Sequence, residues 1–139
     1  MLKITIIATI TALLLIGICP AFASSSKEYP SRIYTYYVTP NELANMTLVK
    51  NAATYWEQYG FHLRYSDNNP QTIITLNKFC NGYSVGTFNT TDHAINIYTN
   101  CIVHNTNYAF TEKVLSHEFG HFLGFAHYSI PIMNPIIDS

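Results

Sequence analysis

The pattern of apolar residues along this 139-residue chain predicts an α+β domain, with a small twisted sheet of four or five strands and two main helices. Three observations carry that expectation. Segments alternating in polarity with period two recur through residues 32–99, a capping-box sequence opens a helical stripe between the first two of them, and a second helical pattern closes the chain. Arg32 to Val38 alternates aromatic and β-branched residues and reads as the first strand. In Thr39-Pro40-Asn41-Glu42, Thr39 is the expected N-cap, proline takes the first helical position and Glu42 reaches back. This first helix is expected to run to about Tyr59, to bury Leu43, Leu48, Val49, Ala52, Ala53 and Trp56, and to end at Gly60. Phe61 to Tyr65, Thr72 to Leu76, Tyr83 to Phe88 and Ala94 to Thr99 read as further strands, with turns at Ser66-Asp67-Asn68-Asn69-Pro70 and Asn89-Thr90-Thr91-Asp92. Thr111 or a near neighbour is expected to cap the second helix, with Glu112 in its first turn and Val114, Leu115, Phe119 and Phe122 on its apolar side.

The first 23 residues read as a secretory signal peptide. Lys3 supplies the positive start, Ile4 to Ile18 the apolar run, and Ala21-Phe22-Ala23 the small-x-small cleavage signal. An uncleaved anchor or lipid attachment at Cys19 fits less well. The apolar run is short for a span, and Ile18 stands where a lipid-attachment signal needs a small residue. Residues 24–139 then form one domain, since 116 residues make one compact core and not two. Without Lys3 the chain carries six Lys+Arg against eight Asp+Glu, a net charge of −2. No basic patch exists, so neither nucleic acid nor an anionic membrane surface is an expected partner, and a monomer is the expected state. The two remaining cysteines, Cys80 and Cys101, are expected to form one disulfide in an oxidising compartment; the alternative is two free or buried thiols.

The chemistry is concentrated in His117-Glu118-Phe119-Gly120-His121-Phe122-Leu123-Gly124-Phe125-Ala126-His127, which has the spacing HExxHxxGxxH. On a helix, His117 and His121 lie one turn apart on one face, so two imidazoles can converge on a metal ion. Glu118 lies about 100° round the axis, beside the ion rather than bound to it, where a general base for a metal-activated water belongs. Gly124 can leave the helix in a left-handed turn that carries His127 back as a third ligand. Three protein ligands with an open fourth position describe a catalytic zinc site, whereas structural sites are closed with four. The competing readings are a core helix whose histidines satisfy ordinary hydrogen bonds, against which the five fixed positions of the motif count, and a zinc site kept only for structure, for which Glu118 would be unnecessary.

These residues resemble the metzincin clan of zinc peptidases, and within it a minimal matrixin-type domain. The resemblance implies a zincin-like fold in which the sheet is mostly parallel with one antiparallel edge and the motif helix packs beneath it. It implies a secreted zinc-dependent endopeptidase acting on protein or peptide substrates, with one catalytic Zn2+ on His117, His121 and His127 and Glu118 as general base. Ile130-Pro131-Ile132-Met133-Asn134-Pro135 resembles the clan's Met-turn, in which Met133 would form an apolar floor under the zinc without coordinating it. The strand around Tyr83 to Phe88 would be the substrate rim, with Ser84, Val85, Gly86 and Thr87 pairing with extended substrate backbone and Pro135 and Ile136 walling the pocket beyond the scissile bond.

Departures from the family pattern accompany the resemblance. Four residues follow Pro135, so the usual C-terminal helix is not expected; nor is a cysteine-switch propeptide. Tyr128 stands where matrixins carry serine. These departures leave open a non-catalytic secreted protein that uses the zinc fold as a peptide-binding or toxin-like scaffold, and a peptidase acting on chain termini or cell-wall peptides. His93 and His104 read as polar turn residues rather than a second zinc site. Acid-rich calcium loops are missing, which leaves calcium unsupported except through carbonyl ligands.

Overall fold

The computed structural model describes residues 32–79, 84–99 and 108–136. The expected signal peptide at residues 1–23, Tyr83, His104 and both members of the expected Cys80–Cys101 disulfide lie outside them. The elements are β1 (Arg32–Val38), α1 (Met46–Thr54), a 3-10 turn continuing it (Tyr55–Tyr59), β2 (Phe61–Tyr65), β3 (Thr72–Asn77), β4 (Gly86–Asn89), β5 (Ala94–Tyr98), α2 (Tyr108–Phe122) and a 3-10 turn at Pro131–Met133. The five strands form one sheet in the order β2-β1-β3-β5-β4. Pairing is parallel throughout except at the edge, where β4 runs antiparallel to β5. This is the α+β mixed sheet with two helices that the sequence predicts.

Parallel strands cannot be joined by a tight turn, so β1 reaches β2 through α1 and its 3-10 extension. Gly60, at φ 80°, ends that crossover in the left-handed region, where a side chain would be strained. The alternation of each strand then sorts the faces. Tyr36, Val38, Leu63, Ile74, Leu76, Ile95 and Ile97 are buried, whereas their neighbours Ile33 and Ile73 are exposed. The buried face packs into one core with Leu48, Val49, Ala52 and Ala53 of α1, Trp56, and Val114, Leu115 and Phe119 of α2. Trp56 joins the two helices: its Nε1–H donates to the Ser116 carbonyl at 3.0 Å. A buried indole needs such an acceptor, since an unmade bond there leaves a desolvated donor.

Two helix starts differ from expectation. The first helix begins at Met46, not after Thr39, and its cap is Asn45, whose side chain accepts from the Leu48 amide at 3.1 Å. Residues 41–44 are drawn into a separate turn. Asn41 accepts from the Leu43 amide with its side chain at 2.9 Å, and the same side chain donates to the Leu76 carbonyl on β3 at 2.9 Å. Thr39, the expected cap, instead pairs its hydroxyl with that of Thr75 at 2.9 Å. Local Asx geometry and a link to the sheet thus outcompete the capping box. Likewise α2 is already helical at Tyr108, so Thr111 lies inside it and Glu112 falls beyond its first turn. Glu112 accepts from Asn51 of α1 at 3.1 Å.

Candidate metal centre

Three devices bring the motif histidines together. The helical turn from His117 to His121 puts both on one side of α2. Gly124, at φ +92°, then reverses the chain, with its amide on the His121 carbonyl at 3.0 Å and the Phe125 amide on the Gly120 carbonyl at 2.9 Å. Finally the Tyr128 amide donates to the Met133 carbonyl at 3.1 Å and ties the returning segment to the 3-10 turn at Pro131–Met133.

The three Nε2 atoms form a near-equilateral triangle. His117 and His121 are separated by 3.1 Å, His121 and His127 by 3.1 Å, and His117 and His127 by 3.3 Å. On the opposite side of each ring, His117 Nδ1 lies 2.8 Å from the Ile132 carbonyl and His121 Nδ1 lies 3.0 Å from the Phe125 carbonyl. A carbonyl only accepts, so both Nδ1 atoms carry the proton and both Nε2 lone pairs point into the triangle. Protonating Nε2 as well would relieve the facing lone pairs, but burial pushes the pKa of His117 and of His121 down. A cation answers the arrangement better than hydrogen bonds do. Imidazoles sharing a tetrahedral zinc at ~2.0–2.1 Å would hold their nitrogens about 3.3 Å apart, and the triangle fits that ion. Among the described residues, this is the group of three side chains that could hold a metal.

Glu118 is 6% exposed and borders the same cleft. Burial pushes its carboxyl up to about 7, opposed by a hydrogen bond from the Phe88 amide of β4. The cleft, of about 410 Å³, is lined by Ser84 to Phe88, by His117, Glu118, His121 and His127, and by Pro135 and Ile136. Every residue expected at the site therefore borders this cleft, apart from Met133, which is fully buried under α2 with its Sδ against Gly120. His93 sits apart in the turn before β5 at φ 50°, exposed and contributing its carbonyl to Thr72 and Ile73.

Four contributors went unread in the sequence. The carbonyls of Ile132 and Phe125 orient the histidines, and the Phe88 amide meets Glu118. Backbone groups carry no residue signature, so no sequence signal marks them. Gly120 had a visible signal, a glycine inside a helical pattern, which points to a close approach. A Cβ there would overlap Met133 Sδ and lie 2.7 Å from Trp56 Cζ2.

No protein-family model matches this chain, and no curated protein does. Two solved structures of myroilysin are similar to it. One superposes with a TM-score of 0.52 at 21% identity, covering 74% of this chain and 53% of the myroilysin chain. The other has a TM-score of 0.52 at 20% identity, covering 74% and 48%. The chain spans about half the length of the myroilysin structures it matches. At this identity the likeness is one of fold: the five-stranded mixed sheet and two helices, with His117 and His121 on the second helix, form a myroilysin-like architecture.

Proposed function

We propose that this protein is a secreted zinc endopeptidase of metzincin type, matrixin-like in its motif, with residues 24–139 as its catalytic domain. The observation that carries the reading is the triangle of Nε2 atoms, 3.1–3.3 Å on a side, opening on a cleft that Glu118 also borders. In this reading His117, His121 and His127 hold one Zn2+, and Met133 floors the site. When bound, zinc would supply Lewis-acid polarisation of a peptide carbonyl and would acidify water. The carbonyls of Ile132 and Phe125 keep the two helical imidazoles in the tautomer a metal needs. The Glu118 carboxylate takes the proton of the attacking water and hands it to the leaving amide nitrogen. No covalent intermediate with the protein is required.

Gly86 and Thr87 of β4, with Ser84 and Val85 just ahead of them in the cleft lining, offer an edge along which a peptide adds as a further antiparallel strand. Pro135 also lines the cleft. Secretion rests on the signal-like residues 1–23, and a Cys80–Cys101 disulfide suits an oxidising compartment. Among the described residues no helix is long and apolar enough to cross a membrane.

The test is digestion of a mixed peptide library, with and without a zinc chelator, by the wild type and by Glu118→Gln. The wild type is expected to cleave internal bonds, to stop on chelation, and to lose ~10²–10⁴-fold in rate with Glu118→Gln while retaining zinc. Cleavage that survives chelation contradicts the mechanism. A biological activity that persists undiminished in Glu118→Gln favours the non-catalytic scaffold.

A further inference from the structure

Strand β4 and helix α2 approach each other closely at Gly86. A Cβ built there would lie 2.7 Å from Val114 Cγ1, 3.0 Å from Glu118 Oε1 and 3.1 Å from Glu118 Cγ. Real Cβ atoms essentially never come as close as the 2.7 Å to Val114, and the two approaches to Glu118 are tighter than nine in ten real contacts, so the strand lies this low on the helix because residue 86 has no side chain. Gly86 and Phe88 point to the same face of β4, opposite Ile97 and Ile95 of β5, both fully buried. The Phe88 amide favours the charged form of the Glu118 carboxyl, while the Phe88 ring packs edge-on against Phe122 of α2 with centroids 5.9 Å apart. Glu118 thus lies between its own helix and the bare backbone at position 86, with too little space between them for a side chain on residue 86.

We propose that β4 is a clamp for the general base as well as the rim of the cleft, with Gly86 the positioning residue that seats the Glu118 carboxylate and the Phe88 amide the donor that orients it. The function of this clamp rests on the peptidase reading; its existence does not. Strand β4 thereby couples two tasks. A substrate that adds to its open edge presses on the same strand that fixes the base, so productive binding and alignment of the carboxylate stand or fall together. The expected signature is a defect in turnover with little change in substrate or zinc affinity, because a base displaced by about 1 Å can cost 10²-fold in rate while the ligands of the ion stay put.

Two measurements test this. The first is hydrogen exchange at the Phe88 amide, followed by NMR in the wild type, Gly86→Ala and Glu118→Ala, and it needs no catalytic activity. Exchange at Phe88 is expected to quicken at least about tenfold in both variants, with the other β4 and β5 amides unchanged. Unchanged exchange at Phe88 in Glu118→Ala, which opens no clash, overturns the clamp. The second is steady-state peptide hydrolysis by Gly86→Ala, alone and with Val114→Ala. With Gly86→Ala, kcat is expected to fall at least about tenfold, with KM and zinc affinity within about twofold. Adding Val114→Ala gives the new methyl group room on the Val114 side but not on the Glu118 side, so kcat is expected to stay low. Full recovery of kcat in the double variant would mean a packing defect and overturn the positioning role. A wild type that hydrolyses no peptide would sink the peptidase reading, while the exchange measurement would still decide whether the clamp exists.

Discussion

Replacing Gly120 with alanine sets two physical effects against each other. Gly120 lies inside α2, between His117 and His121, and on propensity alone alanine would stabilise that position by about 1 kcal/mol. The tertiary contacts oppose it. The new Cβ would overlap Met133 Sδ and lie 2.7 Å from Trp56 Cζ2 and 2.9 Å from Trp56 Cη2. Neither neighbour can retreat easily, since both are fully buried. The indole is tethered to the Ser116 carbonyl and stacked obliquely on Phe125 with centroids 5.0 Å apart. Met133 belongs to the turn whose Ile132 carbonyl holds His117. Overpacking a core costs ~1–3 kcal/mol, and three simultaneous close contacts put this site at the upper end. Offset by the helical gain, the net loss is about 1–2 kcal/mol, or a melting temperature lower by roughly 4–8 °C per kcal/mol for a small domain. Thermal unfolding of the zinc-saturated protein, followed by circular dichroism and by the fluorescence of the single tryptophan, reads this directly. Combining the change with Met133→Ala is expected to cost less than the sum of the two, by about 1 kcal/mol or more, because the cavity accepts the methyl group. A Gly120→Ala protein that melts at or above the wild type would refute the reasoning, since propensity would then have prevailed over contacts that were free to yield.

Zinc removal is expected to lower the melting temperature, because an ion at 1,000 times its Kd contributes about 4 kcal/mol; in His121→Ala the chelator-dependent shift should disappear, and a shift that persists there would contradict the assignment of the ligands. Asn45→Ala is expected to cost about 1 kcal/mol through loss of the cap on the Leu48 amide, and Thr39→Ala less; urea titrations giving the reverse order would restore the earlier helix start. Glu57 accepts from Arg64 at 2.9 Å, and this bond holds its carboxyl below the ordinary glutamate range. Its folded-state pKa is depressed, so the stability it contributes is present above the unfolded glutamate's pKa and fades as pH falls through the lower folded value. Glu57→Gln should therefore flatten that part of the acid limb in urea unfolding measured across pH, and an unaltered limb would contradict the pairing.

The order and type of the elements, most of the core stripe and the convergence of the three motif histidines were determined by the sequence, because each is written in side chains at a fixed period; Leu43, ahead of the helix that forms, is only half-buried. β1 and β2 fall at the residues predicted from alternation, and Leu48, Val49, Ala52, Ala53 and Trp56 are buried as helical spacing requires. His117, His121 and Gly124 do what a 3.6-residue repeat and a left-handed turn dictate. The helix starts were less legible. Thr39 and Asn45 are both competent caps, and the choice between them fell to contacts with Leu76 and Thr75 on a strand about 35 residues away. Which strands are neighbours is likewise a long-range matter: β3 inserts between β1 and β5, and β4 doubles back to the edge. Only the tertiary structure supplied the carbonyls that fix the imidazole tautomers, the amide on Glu118, and the reasons for Gly86 and Gly120. The physical cause is common to all four. A side chain announces its chemistry wherever it stands, whereas a backbone group or a missing Cβ acquires a role only from what is folded against it.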